Sequence, residues 1–583
     1  MGIKRGIAVS AGVAYGRVVV LDTNWLNIPN RNVSNDQTKS EIDRLRKAMA
    51  AAAQDSREYQ VSVNQQLGRH YGAIFEAHAL LLEDPSLIDE ATRLIEENAF
   101  SAEYAFTRVT NRYAQAFQNL QGNLSLASRA ADLADIERRV LSHLMGERRK
   151  DLESLEGPVI VLAHDLTPSE TAQLDTNSVQ GFATEAGGRT SHTAIIAGAL
   201  EIPALVGVGS FLSEISSGDD AIIDGNRGLL IINPDEETRR QYESDRASYA
   251  TFEQQLDELR DVPAVTKDGV KVTLLGNIEF PHETSHVLEK GAEGIGLYRT
   301  EFLYLGRTTD PMEEEHYQAY TEVLRLLPKG QPLVIRTLDV GGDKFQTRTG
   351  HAIDEQNPFL GLRSIRLCLQ SLGLFKTQLR AILRAGLLGS VRILFPMIAT
   401  LRELRQCKLV LSEVKEDLDD EGIQYGRDVP IGTMIEVPSA AIVAAQLVRE
   451  VDYLSIGTND LVQYLLAADR TNEHVAELYN AADPAVLQLI QQVLDAGKQA
   501  GKPVNACGEM SGEPIYTALL LGMGLRQFSV TPHHIPGIKR IVCATSILEA
   551  EQVAREALRL ETATEVTNYL RDQMRRLLPD SLL

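Results

Sequence analysis

The sequence has few of the features that would place it in a specialised class of protein. Among its 583 residues are one tryptophan and four cysteines, Cys368, Cys407, Cys507 and Cys543. These cysteines are too widely spaced for a disulfide framework or a zinc site. No apolar run approaches the ~20 residues of a membrane-spanning helix, and no signal-peptide pattern precedes the first strands. We therefore expect a cytoplasmic protein without membrane insertion.

Positive charge is also scarce. The chain carries 58 Lys and Arg residues against 80 Asp and Glu residues, a formal net charge of −22 at pH 7. Nucleic-acid binding depends on basic surfaces that neutralise phosphates, so this balance argues against it. An acidic surface is compatible with a basic protein partner, although it usually serves solubility alone. The 44% of hydrophobic residues is typical of a globular protein with sizeable cores.

The first part of the chain alternates between strand-like and helical patterns. Residues 3–22 have the pattern of short strands, and helical periodicity then runs from about Ser34 to about Arg149. Strand-like sequence resumes with GPVIVLAHDLTP and continues to about Asn233. We therefore predict an α/β domain with an inserted α-helical bundle. A charged helical connector follows over residues 235–260.

Beyond Pro263 the pattern becomes strand, loop and helix, repeated to near the C-terminus. The eight apolar strand candidates are KVTLLGNI, EGIGLYRT, PLVIRTLD, VRILFPMI, PIGTMIEV, YLSIGTND, PVNACGEM and RQFSVTPH. Eight such units predict a (β/α)8 barrel of the TIM type, and such a barrel carries its chemistry at the carboxyl ends of the strands.

Polar side chains occur where these predicted strands end. They are Asn277, Arg299, Arg336, Glu436, Asn459, Asp460 and Cys507. Loops are polar in any protein, yet two arginines, two carboxylates, two amides and a cysteine at one end exceed that expectation. We therefore predict a functional site at the mouth of the barrel.

The charges in this set suggest an anionic substrate and a metal ion. Arg299, Arg336 and Arg470 each offer a planar fork that binds carboxylate or phosphate with two hydrogen bonds. Glu436 and Asp460 supply the hard oxygen ligands that Mg²⁺ prefers. The same carboxylates could instead form plain salt bridges with the arginines, but their position at a barrel mouth favours a metal.

A thiol and an imidazole complete the candidate chemistry. Cys507 would project where the substrate lies, as an acid–base group or as a nucleophile. His192, in GGRTSHTAIIAGALEIPALVG (residues 187–207), lies at the start of a predicted helix whose free N–H groups attract anions. An imidazole there can accept a phosphoryl group. A structural histidine is the alternative, but a structural cap needs only one of the polar residues that precede it.

This histidine segment resembles the phosphohistidine segment of Enzyme I, the phosphoenolpyruvate–protein phosphotransferase family of the bacterial sugar phosphotransferase system. Further segments that resemble this family, in the right order, are GAEGIGLYRTEFLYLGR, RTLDVGGDK, NPFLGLRSIR, IGTMIEVPSA, SIGTNDLVQYLLAADR and NACGEMSG. The N-terminal start and FEAHALLLEDPSL in the helical insert resemble it as well. The resemblance therefore covers essentially the whole chain.

The resemblance implies a role for each candidate residue. It implies that His192 takes the phosphoryl group of phosphoenolpyruvate and passes it to a histidine of the phosphocarrier protein HPr. The implied substrate-binding residues are Arg299, Arg336, Asn459, Asp460 and Arg470, and the implied Mg²⁺ ligands are Glu436 and Asp460. Cys507 is implied to protonate the enolate carbon, which releases pyruvate. A homodimer formed through the barrel is also implied.

The same resemblance assigns functions to the predicted domains. Residues 1–33 and 147–233 would form the phosphohistidine domain, 34–146 the HPr-binding insert, 234–261 a helical linker, and 262–583 the phosphoenolpyruvate-binding barrel. His192 cannot contact both the barrel and the HPr-binding insert in one arrangement. We therefore predict that the phosphohistidine domain swivels about the linker.

Three alternatives are less favoured. Phosphoenolpyruvate synthase and pyruvate phosphate dikinase carry an ATP-grasp domain before the phosphohistidine domain, whereas this chain has only the helical insert, without a Gly-rich ATP-binding loop. The nitrogen-branch form of Enzyme I usually begins with a GAF domain, whereas this chain begins with the phosphohistidine domain. A non-catalytic docking scaffold would not need to retain both His192 and Cys507.

Overall fold

The computed structural model describes residues 2–10, 12–21, 33–34, 36–66, 69–119, 124–145, 158–166, 178–187, 202–242, 259–304, 309–341, 357–470, 472 and 474–578. The chain divides into two units, Met1–Ala247 and Ser248–Leu583. His192 lies outside the described residues, as do the helices predicted directly after it and around residues 169–174.

A mixed eight-stranded sheet is the scaffold of the first unit. Its strands are β1 (Gly2–Arg5), β2 (Ile7–Ser10), β3 (Val13–Leu21), β4 (Val159–Ala163), β5 (Val179–Thr184), β6 (Ala204–Val206), β7 (Asp220–Asp224) and β8 (Leu229–Ile232), in the order β1-β8-β7-β3-β4-β5-β6-β2. Strand β3 pairs in parallel with β4 and antiparallel with β7. Strand β3, which precedes the helical insert in the chain, therefore lies between two strands that follow the insert.

Apolar residues cover both faces of this sheet. Strand β4 is buried along its whole length, because Ile160 and Leu162 face one core and Val159 and Val161 face the other. This explains why VIVLA is an uninterrupted apolar run, as is typical of a central strand. The predicted hairpin is formed by β7 and β8, which pair antiparallel.

Within the described residues, five helices form the insert. They are α1 (Thr38–Gln66), α2 (Arg69–Leu82), α3 (Pro85–Asn98), α4 (Ala102–Asn119) and α5 (Leu124–Met145). The boundary between α2 and α3 has a local cause: Asp84 Oδ1 accepts a hydrogen bond from the Ser86 N–H at 2.8 Å, and Pro85 occupies the first helical position. The apolar sides of these helices share one core.

A closed parallel barrel forms the second unit. Its strands are β9 (Thr273–Ile278), β10 (Ile295–Tyr298), β11 (Pro332–Arg336), β12 (Ser390–Phe395), β13 (Ile431–Ile435), β14 (Tyr453–Ile456), β15 (Val504–Ala506) and β16 (Gln527–Val530). Each strand pairs in parallel with the next, and β16 closes the barrel against β9. All eight strand candidates are barrel strands, so the predicted fold class is confirmed.

Helices surround the barrel. In chain order they are α6 (Glu283–Glu289), α7 (Glu313–Leu326), α8 (Ile365–Gln370), α9 (Leu372–Ala385), α10 (Leu401–Asp420), α11 (Pro438–Ile442), α12 (Ala444–Leu447), α13 (Thr458–Leu466), α14 (Pro484–Ala500), α15 (Glu509–Gly512), α16 (Pro514–Met523), α17 (Ile535–Ala544), α18 (Ile547–Ala557) and α19 (Ala563–Leu577). In the part of the chain that the structure describes, none of the helices has the length and hydrophobicity needed to cross a membrane.

Two layers of apolar packing fix the position of the barrel mouth. The larger core lies between the strands and the helices. A smaller cluster of buried side chains consists of Leu297, Val334, Leu394, Met434, Tyr453 and Cys507. Each of its members comes from a barrel strand or the residue directly after one. Cys507 is therefore part of a packed, dry environment.

Candidate active site at the barrel mouth

The structure places the predicted barrel residues at the carboxyl ends of six strands. Asn277 is the second-last residue of β9, and Arg336 is the last residue of β11. The residues that directly follow β10, β13 and β15 are Arg299, Glu436 and Cys507, respectively. Asn459 and Asp460 lie in the first turn of α13, after β14. Because carboxyl ends of parallel strands share one rim of a barrel, these side chains converge.

Arg336 is held by two carboxylates. Its Nη2 donates to Glu301 Oε1 at 2.8 Å, and its Nη1 lies 2.9 Å from Asp339 Oδ2. The side chain is only 12% exposed. Burial alone would lower the pKa of Arg336, but Glu301 and Asp339 outweigh burial and raise the pKa above its usual value. The guanidinium is therefore permanently charged and held in one direction.

A second buried arginine, Arg363, lies beside this pair and was not among the predicted site residues. Its Nη2 donates to Asp339 Oδ1 at 3.1 Å, and its Nη1 donates to the Tyr464 hydroxyl at 3.2 Å and lies 3.8 Å from Asp460 Oδ1. Asp339 thus bridges Arg336 and Arg363. In the sequence, Arg363 belongs to the segment NPFLGLRSIR, which resembles the family, but the resemblance implied no role for this arginine.

The pKa values of the two acidic partners, Glu301 and Asp339, shift in opposite directions. Burial raises the pKa of Glu301 more than Arg336 lowers it. Burial also acts to raise the pKa of Asp339, but Arg336 and Arg363 together outweigh it and lower that pKa. The two arginines therefore stabilise the ionised form of Asp339. Within the described residues, Nε of Arg336 and Nε of Arg363 are buried and have no hydrogen-bond partner, which is costly unless a ligand supplies an acceptor.

Glu436 is a buried carboxylate next to two others. Its residue is 1% exposed, and burial together with Asp460 and Asp339 raises its pKa to about 8. Oε1 accepts a hydrogen bond from the Met397 N–H at 2.5 Å, and the backbone of Met397 lies in the left-handed region with φ 55°. The other oxygen lies against Gly457, where a Cβ would come within 2.8 Å of Oε2.

These oxygen atoms fit a magnesium ion. Like charges that burial crowds together are stabilised by a cation, and Mg²⁺ typically takes one or two protein carboxylates with water and phosphate oxygens. Among the described residues, no group of three or more His, Cys, Asp or Glu side chains could hold a metal ion by itself. Glu436 and Asp460 would suit an ion that draws its remaining ligands from substrate and water. Both carboxyl groups also interact with nearby arginines: Asp460 Oδ1 lies 3.8 Å from Arg363 Nη1, and Arg336 acts to lower the pKa of Glu436.

Cys507 is a protonated thiol. It is 3% exposed, accepts from Ser455 Oγ at 3.2 Å and lies 3.6 Å from the Ile456 carbonyl oxygen. Burial raises its pKa to about 11, and the opposing effects of Ser455 and Arg336 do not offset this. A nucleophilic cysteine needs a thiolate, so this environment favours the acid–base interpretation over the nucleophile. Asn277 Nδ2 donates to the Cys507 carbonyl at 3.3 Å and fixes the backbone.

The other predicted residues are held less tightly. Asn459 Oδ1 accepts from the Glu509 N–H at 2.7 Å, and its Nδ2 donates to Glu509 Oε1 at 3.0 Å. Arg470 reaches the same Oε1 at 3.5 Å and is 38% exposed. Arg299 pairs with Glu279 at 2.6 Å and is 36% exposed. Both exposed arginines can therefore exchange their present partners for a substrate.

Comparison with known proteins assigns the family. Three family models match: PEP-utilising enzyme, N-terminal (residues 5–129), PEP-utilising enzyme, mobile domain (155–228), and PEP-utilising enzyme, PEP-binding domain (253–547). The chain is 44% identical over 566 residues to a phosphoenolpyruvate-protein phosphotransferase of Geobacillus stearothermophilus, with 97% of both chains covered. This chain belongs to the phosphoenolpyruvate-protein phosphotransferase family.

A second member of the phosphoenolpyruvate-protein phosphotransferase family, from Staphylococcus carnosus, is 41% identical over 568 residues, which cover 97% of this chain and 98% of that one. A solution structure titled Enzyme I (nEIt) is 37% identical, covers 42% of this chain and 99% of that one, and has a TM-score of 0.38. The sequence relatives confirm the resemblance and the interpretation as a phosphotransferase enzyme. They do not favour the dikinase, synthase or scaffold alternatives.

Proposed function

We propose that this phosphotransferase transfers the phosphoryl group of phosphoenolpyruvate to its own His192 and then to a histidine of the phosphocarrier protein HPr, releasing pyruvate. This is the first step of the sugar phosphotransferase system. The observation that supports the donor half most directly is the buried pair Arg336 and Arg363, whose Nε–H groups lack acceptors within the described residues.

Each residue at the mouth has a part in this proposal. Arg336 and Arg299 bind the anionic groups of phosphoenolpyruvate, because guanidinium forks match carboxylate and phosphate oxygens. Asn459 and Arg470 release Glu509 and bind the substrate from the opposite side. Transfer of a phosphoryl group depends mainly on such positioning and charge neutralisation.

Glu436 and Asp460 would hold Mg²⁺. When bound, the ion would neutralise phosphate charge and polarise the transferring group. The pKa of Glu436 is raised first by burial and then by the neighbouring Asp460 and Asp339, and a bound cation would offset these effects.

Cys507 gives its proton to the methylene carbon of the enolate that remains when the phosphoryl group has left. The C–H bond of pyruvate forms as the S–H bond breaks, and the thiolate is then reprotonated from solvent. A pKa of about 11 ensures that the thiol carries this proton at neutral pH. In the reverse direction the thiolate would remove the same proton.

The partner and assembly proposals rest on the family resemblance. The helical insert would dock HPr, the barrel would form the homodimer, and the protein would act in the cytoplasm. The swivelling of the phosphohistidine domain stays a prediction, as do the domain boundaries given above. A cross-link that holds His192 near the barrel should permit phosphorylation by phosphoenolpyruvate and block transfer to HPr; normal transfer would contradict swivelling.

Labelled phosphoenolpyruvate tests the reaction class. With Mg²⁺, the pure protein should acquire an acid-labile, base-stable label, and added HPr should remove it. No label would contradict the proposal, while a requirement for ATP or AMP would point to a dikinase.

A further inference from the structure

A buried polar network lies behind the arginine cluster, which we define as Glu301, Arg336, Asp339 and Arg363. It consists of Thr300, Tyr304, His316, Tyr320 and Gln378. All five side chains are at most 3% exposed. Such groups are costly to bury unless their hydrogen bonds are made, and a satisfied network fixes the backbone that it contacts.

Gln378 is the branch point of this network. Its Oε1 accepts from the Leu338 N–H at 2.9 Å, and its Nε2 donates to Thr300 Oγ1 at 3.0 Å and to the Tyr320 hydroxyl at 3.2 Å. A backbone N–H can only donate, so the amide oxygen must face Leu338. Both amide hydrogens are then used, and the orientation of the amide is unique.

The direction of the bond that Thr300 makes to the backbone follows from this orientation. Thr300 Oγ1 accepts from Gln378 and donates to the Arg336 carbonyl oxygen at 3.0 Å. The Tyr320 hydroxyl, which accepts from Gln378, can donate to His316 Nδ1 at 3.1 Å. His316 Nε2 then carries the proton and donates to the Tyr304 hydroxyl at 3.2 Å.

Two of these bonds end on the backbone that carries the arginine cluster. Thr300 holds the carbonyl of Arg336, Gln378 holds the N–H of Leu338, and the N–H of Thr337 between them donates to Leu394 of the next strand at 3.0 Å. Two consecutive peptide groups, which join Arg336 to Thr337 and Thr337 to Leu338, are thus fixed directly after β11. Asp339, which bridges Arg336 and Arg363, is the next residue.

We propose that Thr300 and Gln378 are positioning residues for phosphoenolpyruvate binding, because they fix the backbone from which Arg336 and Asp339 project. Neither side chain needs to contact the substrate. The proposal rests on the proposed function, since it assigns Arg336 to phosphoenolpyruvate. It predicts that removing the Thr300 hydroxyl weakens substrate binding even where the fold is retained.

Matched substitutions separate positioning from stability. Thr300→Val keeps the shape of the side chain but loses the bond to Arg336, whereas Thr300→Ser keeps the hydroxyl. Tyr304→Phe removes one hydroxyl at the far end of the same network and leaves the Arg336 carbonyl bonded. The readouts are the thermal midpoint and, separately, KM for phosphoenolpyruvate and kcat for pyruvate release in the presence of HPr.

We expect Thr300→Val to raise KM about tenfold, on the scale of one lost hydrogen bond and a displaced arginine. Thr300→Ser should restore the wild-type KM, and Tyr304→Phe should lower the thermal midpoint with KM unchanged. If Thr300→Val does not fold, Thr300→Ala gives the same comparison with a smaller side chain.

Three results would have distinct meanings. An unchanged KM in folded Thr300→Val or Thr300→Ala would overturn the positioning role. An equal rise of KM in Tyr304→Phe would also overturn it, because the effect would then follow stability alone. A wild-type protein that phosphoenolpyruvate does not phosphorylate would instead contradict the proposed function, before any variant is compared.

Discussion

The two sides of the barrel mouth differ in how firmly their arginine side chains are held. On the β11 side, defined here as Glu301, Arg336, Asp339 and Arg363, the two arginines are 12% and 11% exposed and share a buried carboxylate. On the β14 side, defined as Asn459, Arg470 and Glu509, the arginine is 38% exposed and lies 3.5 Å from a carboxylate that is itself 68% exposed.

This difference suggests a division of labour in substrate binding. Charged groups that are already oriented and desolvated need little reorganisation when a substrate arrives. The β11 side meets that condition, whereas the β14 side must break an exposed ion pair, which by itself stabilises the fold by only about 0–1 kcal/mol. The β11 side is therefore the rigid half of the site and the β14 side the adjustable half.

Arg336→Gln should have the largest effect. Loss of a fixed arginine at a transferring phosphoryl group costs on the order of 10³-fold in rate. The variant also leaves Glu301 without its buried arginine and Asp339 with Arg363 alone, which should cost about 3–5 kcal/mol of unfolding free energy. Rapid-quench labelling with phosphoenolpyruvate and thermal unfolding measure the two effects. A folded variant with near-normal labelling would contradict the rigid-half interpretation.

Cys507→Ala should have the next largest effect, on a different step. Label should still reach His192 in a single turnover, while steady-state pyruvate release slows by about 10²-fold, the scale of a lost general acid. This variant sharpens the comparison because it impairs proton transfer and leaves both arginine sides in place. Wild-type turnover would remove the acid role from Cys507.

Arg470→Gln tests the adjustable half directly and is the matched control for Arg336→Gln. We expect KM for phosphoenolpyruvate to rise about tenfold, as for one lost charged hydrogen bond. The unfolding free energy should change by no more than about 0.5 kcal/mol, as for an exposed position. Equal losses of stability in Arg336→Gln and Arg470→Gln would end the distinction between the two sides.

The smallest expected effect is a pH dependence of stability due to Cys507. Burial raises its pKa from 9.0 to about 11, so the unfolded chain loses this proton at a lower pH than the folded protein. The stabilisation is complete below pH 9 and is lost as the pH rises toward 11. Between pH 8 and pH 10, wild type should lose about 1 kcal/mol more unfolding free energy than Cys507→Ala. Parallel curves for the two proteins would contradict the raised pKa.

The barrel could be predicted because each strand is a short apolar run between helical stretches, and the carboxyl ends of such strands point to one rim. The same reasoning predicted Arg336, Glu436 and Cys507 at this rim, where the structure places them. Position in the sequence did not distinguish acid from nucleophile for Cys507. The family resemblance implied the acid role, and the burial of the thiol among Leu297 and its neighbours favours that role.

Arg363 and Asp339 could not be found by the same reasoning. Asp339 lies three residues beyond the last residue of β11, and Arg363 is brought beside it through a backbone bridge between Arg363 and Gly341. No periodicity encodes such a contact between loop segments. The network around Gln378 could not be predicted either, because a buried glutamine on an amphipathic helix has the same sequence pattern as an exposed one.

The central claim is that one imidazole, His192, carries the phosphoryl group between the barrel and HPr. His192→Ala, incubated with labelled phosphoenolpyruvate, Mg²⁺ and HPr, tests it most directly. The account predicts no label on either protein and no pyruvate, with wild-type thermal stability of the barrel. Pyruvate release together with labelled HPr would contradict it.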